Sequence, residues 1–347
     1  MKAYQVPSPG LPLELNEMET PKPSGTEVLV RTIACGLCHS DVHIHEGAFD
    51  LGNGNKLELP LPSPYTLGHE IFGEVVECGE DAKDVTVGEQ AIVYPWIGCG
   101  ACSICNSGDE HLCNAGQTIG VLKTGGFSDH VVVPHSKYLF KPSNVPAHLA
   151  GSYACSGLTA YSALKKGAPY HNNSMIIVGA GGVGMMGIQI AKAAYDINPI
   201  VVDVDQAKLD AALEQGASAA INPTHEDALM KIFELTGGEA SAAIDFVGSE
   251  QSVAFGINTL AKGGKYIIVG LFGGELKVPL PMIPIMERKI LGSYVGSPQD
   301  MKELMELVNA GKVDPIPVEQ RPMSEVNSAL SDLKDGKVLG RLSLMHD

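Results

Sequence analysis

Hydrophobic and polar positions along this chain change their period part-way through. From Met1 to about Pro146, apolar residues alternate with polar ones in short runs broken by glycine and proline, as in Val28 to Ile33, Ile71 to Val76, Glu89 to Tyr94 and His130 to Val133. A period of two marks half-buried strands, so this part predicts an antiparallel β barrel or sandwich. The stretches Asp50 to Tyr65 and Gly98 to Thr118 lose that period and are too long for hairpin turns, which makes them candidate functional loops. A helical stretch from Ala147 to Lys166 leads into a second part in which strands and helices alternate. Its predicted elements are helices Gln206 to Gln215, Glu226 to Leu235 and Gln251 to Leu260, with strands Ala242 to Val247 and Tyr266 to Val269. Such alternation predicts a doubly wound parallel sheet. The tail predicts a strand at Ile290 to Val295, helices at Met301 to Asn309 and Glu325 to Lys334, and a last apolar strand ending at Met345 that returns to the first part.

The second part opens on Ser174 to Asp205, a whole strand-turn-helix-strand unit. Met175 to Val178 is short, apolar and β-branched, as a strand buried on both faces should be. It stops at Gly179, and Gly179, Gly181 and Gly184 form G-x-G-x-x-G, with Gly182 and Val183 inside the motif. The first glycine allows the tight turn, the second lets the backbone approach a pyrophosphate, and the third packs helix on strand. Met186, Ile190 and Ala194 keep to one face of the helix, whose N-terminus suits a phosphate. A second strand, Pro199 to Val202, ends on Asp203, about 20 residues past the last glycine, where a carboxylate can accept from the adenosine ribose hydroxyls and repel a 2′-phosphate. Alone the motif is weak, since a glycine-rich turn can bind nothing. Strand, helix and terminal acid together indicate a dinucleotide, and Val204 and Asp205, with no arginine nearby, favour NAD.

Composition narrows the partners. The net charge is −16 with only 24 Lys and Arg, which argues against nucleic acid and anionic membranes and leaves a small molecule. No charged-apolar-small pattern opens the chain and no apolar run is long enough to span a bilayer, so a cytoplasmic protein is expected. At 347 residues the length suits two domains, and eight cysteines are too few for a disulfide scaffold, so clustered thiols suggest metal.

Cys99, Cys102, Cys105 and Cys113 read C-x2-C-x2-C-x7-C within the second long loop. Four thiolates so close suit tetrahedral zinc in a closed, structural site. A zinc-ribbon binding module is the alternative for these cysteines, weakened by the acidic charge and the lack of a basic or aromatic surface. Cys38, His69, Glu70 and Cys155 are dispersed, and spacing alone does not join them; each thiol by itself fits a small buried hydrophobe.

Several segments together carry a resemblance: CGLCHSDVH, LGHEIFGEVVECGE, the four-cysteine loop, GGFSDHVVVP, CSGLTAY, GAGGVG, IDFVGS and VGLF. Over nearly its full length the chain resembles the zinc-dependent alcohol dehydrogenases of the medium-chain dehydrogenase/reductase superfamily. PWIGCGACSICNSGDEHLC and VVVPHSKYLFKP look most like the tetrameric archaeal and bacterial type. The resemblance implies a GroES-like β-rich catalytic domain over residues 1–154, completed by 296–347, and a Rossmann domain over 155–295. It implies two zinc ions per subunit, NAD as cofactor and a homotetramer built as a dimer of dimers, with Ile283 to Val295 apolar enough to extend a sheet across a dimer axis.

The resemblance also implies roles. Cys38, His69 and Cys155 would hold the catalytic zinc, with Glu70 a nearby carboxylate that can exchange onto it, and Asp41 would orient His69. Ser40 and His43 match a proton relay. His39 and Arg341 match pyrophosphate contacts, Lys208 a ribose contact, Val247 the adenosine side, Val269, Gly270 and Leu271 the nicotinamide carboxamide, and Thr159 a further cofactor contact. A solvated helix lysine accounts for Lys208 equally well, and a surface histidine remains the alternative for His39 and His43. The implied reaction is reversible hydride transfer between a primary or secondary alcohol and NAD, giving aldehyde or ketone, with a polyol, an amino alcohol or a ring hydroxyl of a thioester as alternative substrates. A zinc-free quinone reductase or a crystallin-like relative of the same fold is opposed by Cys38, His69 and Cys155. Trp96 is a candidate wall for the substrate pocket with Leu271 and Ile119, as is ordinary packing. Cys35 and Cys78 read as structural, and His45, His111, His130, His135 and His148 have no assigned role.

Overall fold

The structure is a computed structural model that describes residues 1–168, 174–238 and 240–346. Two large sheets carry it. The first has seven strands in the order Val318–Pro322, Arg341–Met345, Val28–Leu37, Glu70–Cys78, Gln90–Val93 and Leu139–Phe140, with His130–Val133 paired to Val28–Leu37 off that path. Its pairings are antiparallel except for Val318–Pro322 with Arg341–Met345. Val28–Leu37 is the hub because its register slips between Leu29 and Val30 and again between Thr32 and Ala34, which bends the strand enough to serve three neighbours. The chain's last strand pairs with it, Leu342 opposite Leu37, so the tail does return to the β-rich part.

The second sheet has six parallel strands in the order Ala219–Ile221, Ile200–Val202, Met175–Val178, Ala242–Asp245, Lys265–Ile268 and Lys289–Gly292. Counted along the chain this is the doubly wound order, which reverses direction between Met175–Val178 and Ala242–Asp245 and leaves a crevice at their carboxyl ends. Met185, Met186, Ile188 and Ile190 of helix Gly182–Tyr195 are buried in the shared core.

Three departures from the sequence pattern have physical causes. Asp50 to Tyr65 is not wholly loop: Ala48–Gly52 and Asn55–Glu58 form a hairpin around Asn53 and Gly54, both at positive φ. Asn-Gly is a strong hairpin turn, but the second strand is exposed throughout and so shows no apolar alternation. The stretch from Ala147 to Lys166 is three pieces, Ala147–Ala150, a 3-10 turn Gly151–Ala154 and Ser156–Gly167, broken at Cys155. Gly151 sits where a Cβ would strike the Glu70 carbonyl, so contact with Glu70–Cys78 sets this path rather than helix propensity. Finally, Lys2–Gln5, Glu14–Glu17, Ala219–Ile221 and Val318–Pro322 are strands too short to show a period.

Candidate active site

At the crevice the glycine turn has the packing its spacing predicts. Gly179 takes φ +97°, which a side chain resists, and lies against Val247 of the neighbouring turn, Cγ2 falling 2.8 Å from where a Cβ would be. A Cβ on Gly184 would collide with the Gly179 carbonyl, so helix and strand approach as only glycine permits. Gly181 caps helix Gly182–Tyr195, and nothing lies within 4 Å of its missing Cβ, which leaves backbone open to the crevice. Asp203 stands at the end of Ile200–Val202, where Oδ2 accepts from Ala180 N at 2.7 Å and Oδ1 from Asp205 N at 3.0 Å. The acid therefore braces the turn it was expected to serve only as a ribose acceptor.

Cys38, His69, Glu70 and Cys155 come together, their ligand atoms all within 4.8 Å of one another and all four residues buried. Each arrives by a different route. Cys38 ends Val28–Leu37 and caps helix His39–Glu46, with its N–H donating to Asp41 Oδ2 at 2.9 Å. His69 and Glu70 enter the facing strand, where Gly36 pairs with Glu70 and a Cβ on Gly36 would strike the Glu70 carboxylate. Cys155 occupies the helix break. Asp41, fully buried, accepts from His69 Nδ1 and Gly68 N, both at 3.2 Å. This leaves His69 Nε2 buried with no hydrogen-bond partner among the described residues.

A buried, unpartnered ring nitrogen facing two thiols is what a metal ligand set requires, and two thiolates with one imidazole, leaving a fourth position free, suit zinc. The residues therefore fit a catalytic zinc. The four side chains also act on one another's charge. Cys38 is held well below the usual thiol range, first by its hydrogen bond with Cys155 and then, against burial, by His69. His69 is raised despite burial, because Asp41 and Cys38 favour its charged form. Burial raises the Glu70 carboxyl, and Arg341 partly offsets this.

Glu70 is held on both sides. Ser156 donates to Oε1 from its N–H at 3.3 Å and its hydroxyl at 3.2 Å, and the Arg341 guanidinium pairs with Oε2. Arg341 also packs on Gly182, while its Nε has no partner among the described residues, so one buried arginine links the metal ligand set to the dinucleotide turn. His39 is exposed at the same crevice, where partial desolvation by its surroundings lowers its pKa, Cys38 opposes the shift, and the charges of Arg341, His43 and Lys208 add to it. Thr159 lies in helix Ser156–Gly167, half-buried, its N–H bonded to Cys155 O at 2.7 Å. Val269, Gly270 and Leu271 follow strand Lys265–Ile268 directly beside Val247.

Cys99, Cys102, Cys105 and Cys113 form the other cluster, with Sγ pairs at 3.5, 3.8 and 3.9 Å. Zinc–sulfur bonds of about 2.3 Å in a tetrahedron put sulfurs about 3.8 Å apart, so this set fits a structural zinc. Cys99 is brought down to about 6, first by the Ala101 and Cys102 backbone N–H groups. Between the clusters lies Trp96, its ring 5.4 Å from that of His69 and its Nε1 bonded to Ala154 O at 3.0 Å. Trp96 meets Tyr294 edge-on at 5.8 Å, and both line a cavity of about 420 Å³ with His111, Leu112, Thr118 and Leu122. Ile119 is buried in the core instead, and neither it nor Leu271 lines this cavity.

The sequence matches the alcohol dehydrogenase GroES-like domain over residues 24–144 and the zinc-binding dehydrogenase domain over residues 182–310. It is 39% identical to an NAD-dependent alcohol dehydrogenase of Sulfurisphaera tokodaii, covering 99% of this chain and 100% of that protein. The chain belongs to the zinc-binding alcohol dehydrogenase family. Among solved structures this dehydrogenase resembles the alcohol dehydrogenase of Aeropyrum pernix, with a TM-score of 0.88 at 31% identity, covering 99% and 100% of the two chains. It also resembles the acetophenone reductase of Geotrichum candidum in complex with NAD, with a TM-score of 0.86 at 30% identity, covering 99% and 96%.

Sequence reasoning gave no role to two residues that the structure places beside these groups. Ser156 is one position from an expected ligand but is a common helix N-terminal residue. Tyr294 carries no motif of its own, and only the fold brings it to Trp96.

Proposed function

We propose that this chain is a cytoplasmic zinc- and NAD-dependent alcohol dehydrogenase that reversibly transfers hydride between a primary or secondary alcohol and NAD, giving aldehyde or ketone. One observation carries the reading: the unpartnered Nε2 of His69 faces Cys38 and Cys155 at the end of the crevice that the glycine turn opens. When bound, zinc supplies Lewis-acid polarisation of the alcohol oxygen and NAD accepts the hydride.

The chain's own residues do the rest. Cys38, His69 and Cys155 hold the zinc, Asp41 fixes the His69 ring, and Glu70 stands beside them as an exchangeable carboxylate. Ser40 and His43 are three apart on helix His39–Glu46 and so share a face. Ser40 Oγ accepts the hydroxyl proton as its own O–H proton moves on toward His43, which releases a proton to solvent. Gly181, Gly182, Val183 and the start of their helix bind the pyrophosphate with His39 and Arg341, whose free Nε and packing on Gly182 support that role. Asp203 accepts from the ribose with Lys208 nearby, Val247 lies on the adenosine side, and Val269, Gly270, Leu271 and Thr159 line the nicotinamide side. Trp96 and Tyr294 form an aromatic corner for the substrate's carbon skeleton.

The units that close on the cofactor are residues 1–154 with 296–347, and 155–295. Two copies pair through strand Lys289–Gly292, an edge of the six-stranded sheet flanked by exposed Leu280, Met282, Ile285 and Leu291, and two such dimers form the tetramer. Among the described residues no helix is long and apolar enough to cross a membrane.

The decisive experiment counts zinc per chain and follows NAD reduction on short, branched, cyclic and aromatic alcohols, polyols and amino alcohols, for the parent and Cys38→Ser. The expected result is two zincs and turnover in the parent, one zinc and no turnover in the variant. One zinc and no turnover in the parent overturns the reading. Light scattering checks the tetramer, proteolysis with and without NAD the two units, and cell fractionation the compartment.

A further inference from the structure

Beneath the crevice one acid has been given no task. Asp245 ends strand Ala242–Asp245 and is fully buried. Its Oδ1 accepts from the N–H groups of Val247 and Gly248, both at 2.9 Å. Its Oδ2 accepts from the hydroxyls of Ser252 and Tyr266, both at 2.8 Å. All four donors are neutral and no cation pairs with the carboxyl among the described residues, so burial raises its pKa from the ordinary value, against the hydrogen bonds that lower it. Filling space does not call for that; a carboxylate is the side chain able to accept four hydrogen bonds at one point.

Through those four bonds the carboxylate secures the Val247–Gly248 turn and, by way of Tyr266, ties it to the strand that leads into Val269–Leu271. The Asp245 carbonyl accepts from Val269 N at 2.9 Å and Gly270 N at 3.0 Å, at the end of the neighbouring strand. Beyond this root the turns are zipped together, Phe272 N to Val247 O and Gly273 N to Gly248 O, each at 3.1 Å. Their approach tolerates no side chains: a Cβ on Gly248 would collide with the Gly270 carbonyl, and one on Gly270 with Val247. The Tyr266 hydroxyl also lies 3.0 Å from Ser252 O, so its single proton is shared between that carbonyl and Asp245 Oδ2.

We propose that Asp245 is a positioning residue for the cofactor crevice: its carboxylate holds the Val247–Gly248 turn directly and, through Tyr266, sets that turn against Val269–Leu271 in the register that receives NAD. This rests on the assignment of those turns to the cofactor. Asp245 touches neither NAD nor alcohol, so it sets how well NAD binds and leaves the metal ligands and the proton path alone.

The test compares the parent holoenzyme with Asp245→Ala, Asp245→Asn and Tyr266→Phe. In Asp245→Ala two backbone N–H groups lose a charged acceptor, and KM for NAD is expected to rise about tenfold or more, while kcat at saturating NAD and KM for the alcohol stay within about threefold. Asparagine keeps Oδ1 for both N–H groups and turns Nδ2 to the hydroxyl oxygens, so it should bring KM for NAD back to within about threefold of the parent. Tyr266→Phe, which leaves the carboxylate in place, should raise KM for NAD about two- to threefold and covers the case in which Asp245→Ala does not fold. An unchanged KM for NAD in every folded variant, or a KM for the alcohol that moves as far, overturns the proposal. Hydrogen exchange of the parent with and without NAD separates the two levels. If NAD fails to protect residues 246–249 and 269–272, the cofactor assignment itself falls. If NAD protects them and the variants keep the parental KM, only the role of Asp245 falls.

Discussion

Replacing Asp41 by asparagine tests how the catalytic ligand set is held. Asp41 is fully buried and serves three donors, Cys38 N through Oδ2 and Gly68 N and His69 Nδ1 through Oδ1. Asparagine can keep its oxygen toward Gly68 and His69, but then sets an amide N–H against the Cys38 N–H. One buried donor unpaired in this way costs about 1–3 kcal/mol. The charge that favours the correct His69 tautomer is also lost, and a ligand partner of this kind is worth about 10–100-fold in metal affinity. Asp41→Asn should therefore unfold about 1–3 kcal/mol more easily and lose its catalytic zinc to chelator about 10–100-fold more readily. The zinc of the four cysteines should not change, since none of them touches Asp41. The assay is chelator competition read as zinc per chain, alongside urea unfolding. A variant whose chelator curve overlays the parent's at both sites would refute this account of Asp41. Asp41→Ala removes the acceptor from all three donors and should lose more stability than Asp41→Asn.

Other perturbations test other parts of the molecule. Asp203→Gly with Val204→Arg should raise kcat/KM with NADP and lower it with NAD, because Val204 is 66% exposed and an arginine there can reach a 2′-phosphate. The same variant should lose about 1–3 kcal/mol in urea, since Ala180 N and Asp205 N lose their acceptor, and unchanged NADP kinetics would count against it. Gly184→Ala drives a methyl into the Gly179 carbonyl, so a loss of about 1–3 kcal/mol and weakened NAD binding are expected; a calorimetric trace and NAD affinity like the parent's would show that the turn yields. Glu303 is held at about 2, chiefly by its hydrogen bond with Lys165 and further by Gln299 and, against burial, by Tyr161. A depressed carboxyl pKa stabilises above the unfolded value of about 4 and is lost on acidification through the folded value. With solvent screening the pair is worth about 1 kcal/mol, so the stability gap between parent and Glu303→Gln should close between about pH 4 and pH 2. A gap independent of pH would rule this out.

Much of the fold and part of the site were legible along the chain, and the division follows sequence separation. The four cysteines lie within one loop, so their closeness is already present in the spacing and needs little chain ordering beyond that loop. The glycine turn and Asp203 belong to one strand-helix-strand unit whose local geometry follows from residue type, and the alternation around them dictates a parallel sheet. Spacing did not join Cys38, His69 and Cys155; the motif resemblance implied the set, and the tertiary structure shows how it forms. Their thiols and ring are brought together by the register of Val28–Leu37 on Glu70–Cys78 and by the helix break at Cys155, neither of which has a periodic signal. Arg341 reaches Glu70 across 271 positions because the last strand closes onto the hub strand. Asp245 falls inside the strand expected over Ala242 to Val247; the structure ends that strand on it, and its four donors gather only when two neighbouring strands end side by side. Residue type and local spacing are enough where the chain need only fold on itself within a few turns. Packing of distant strands decides which buried polar groups meet.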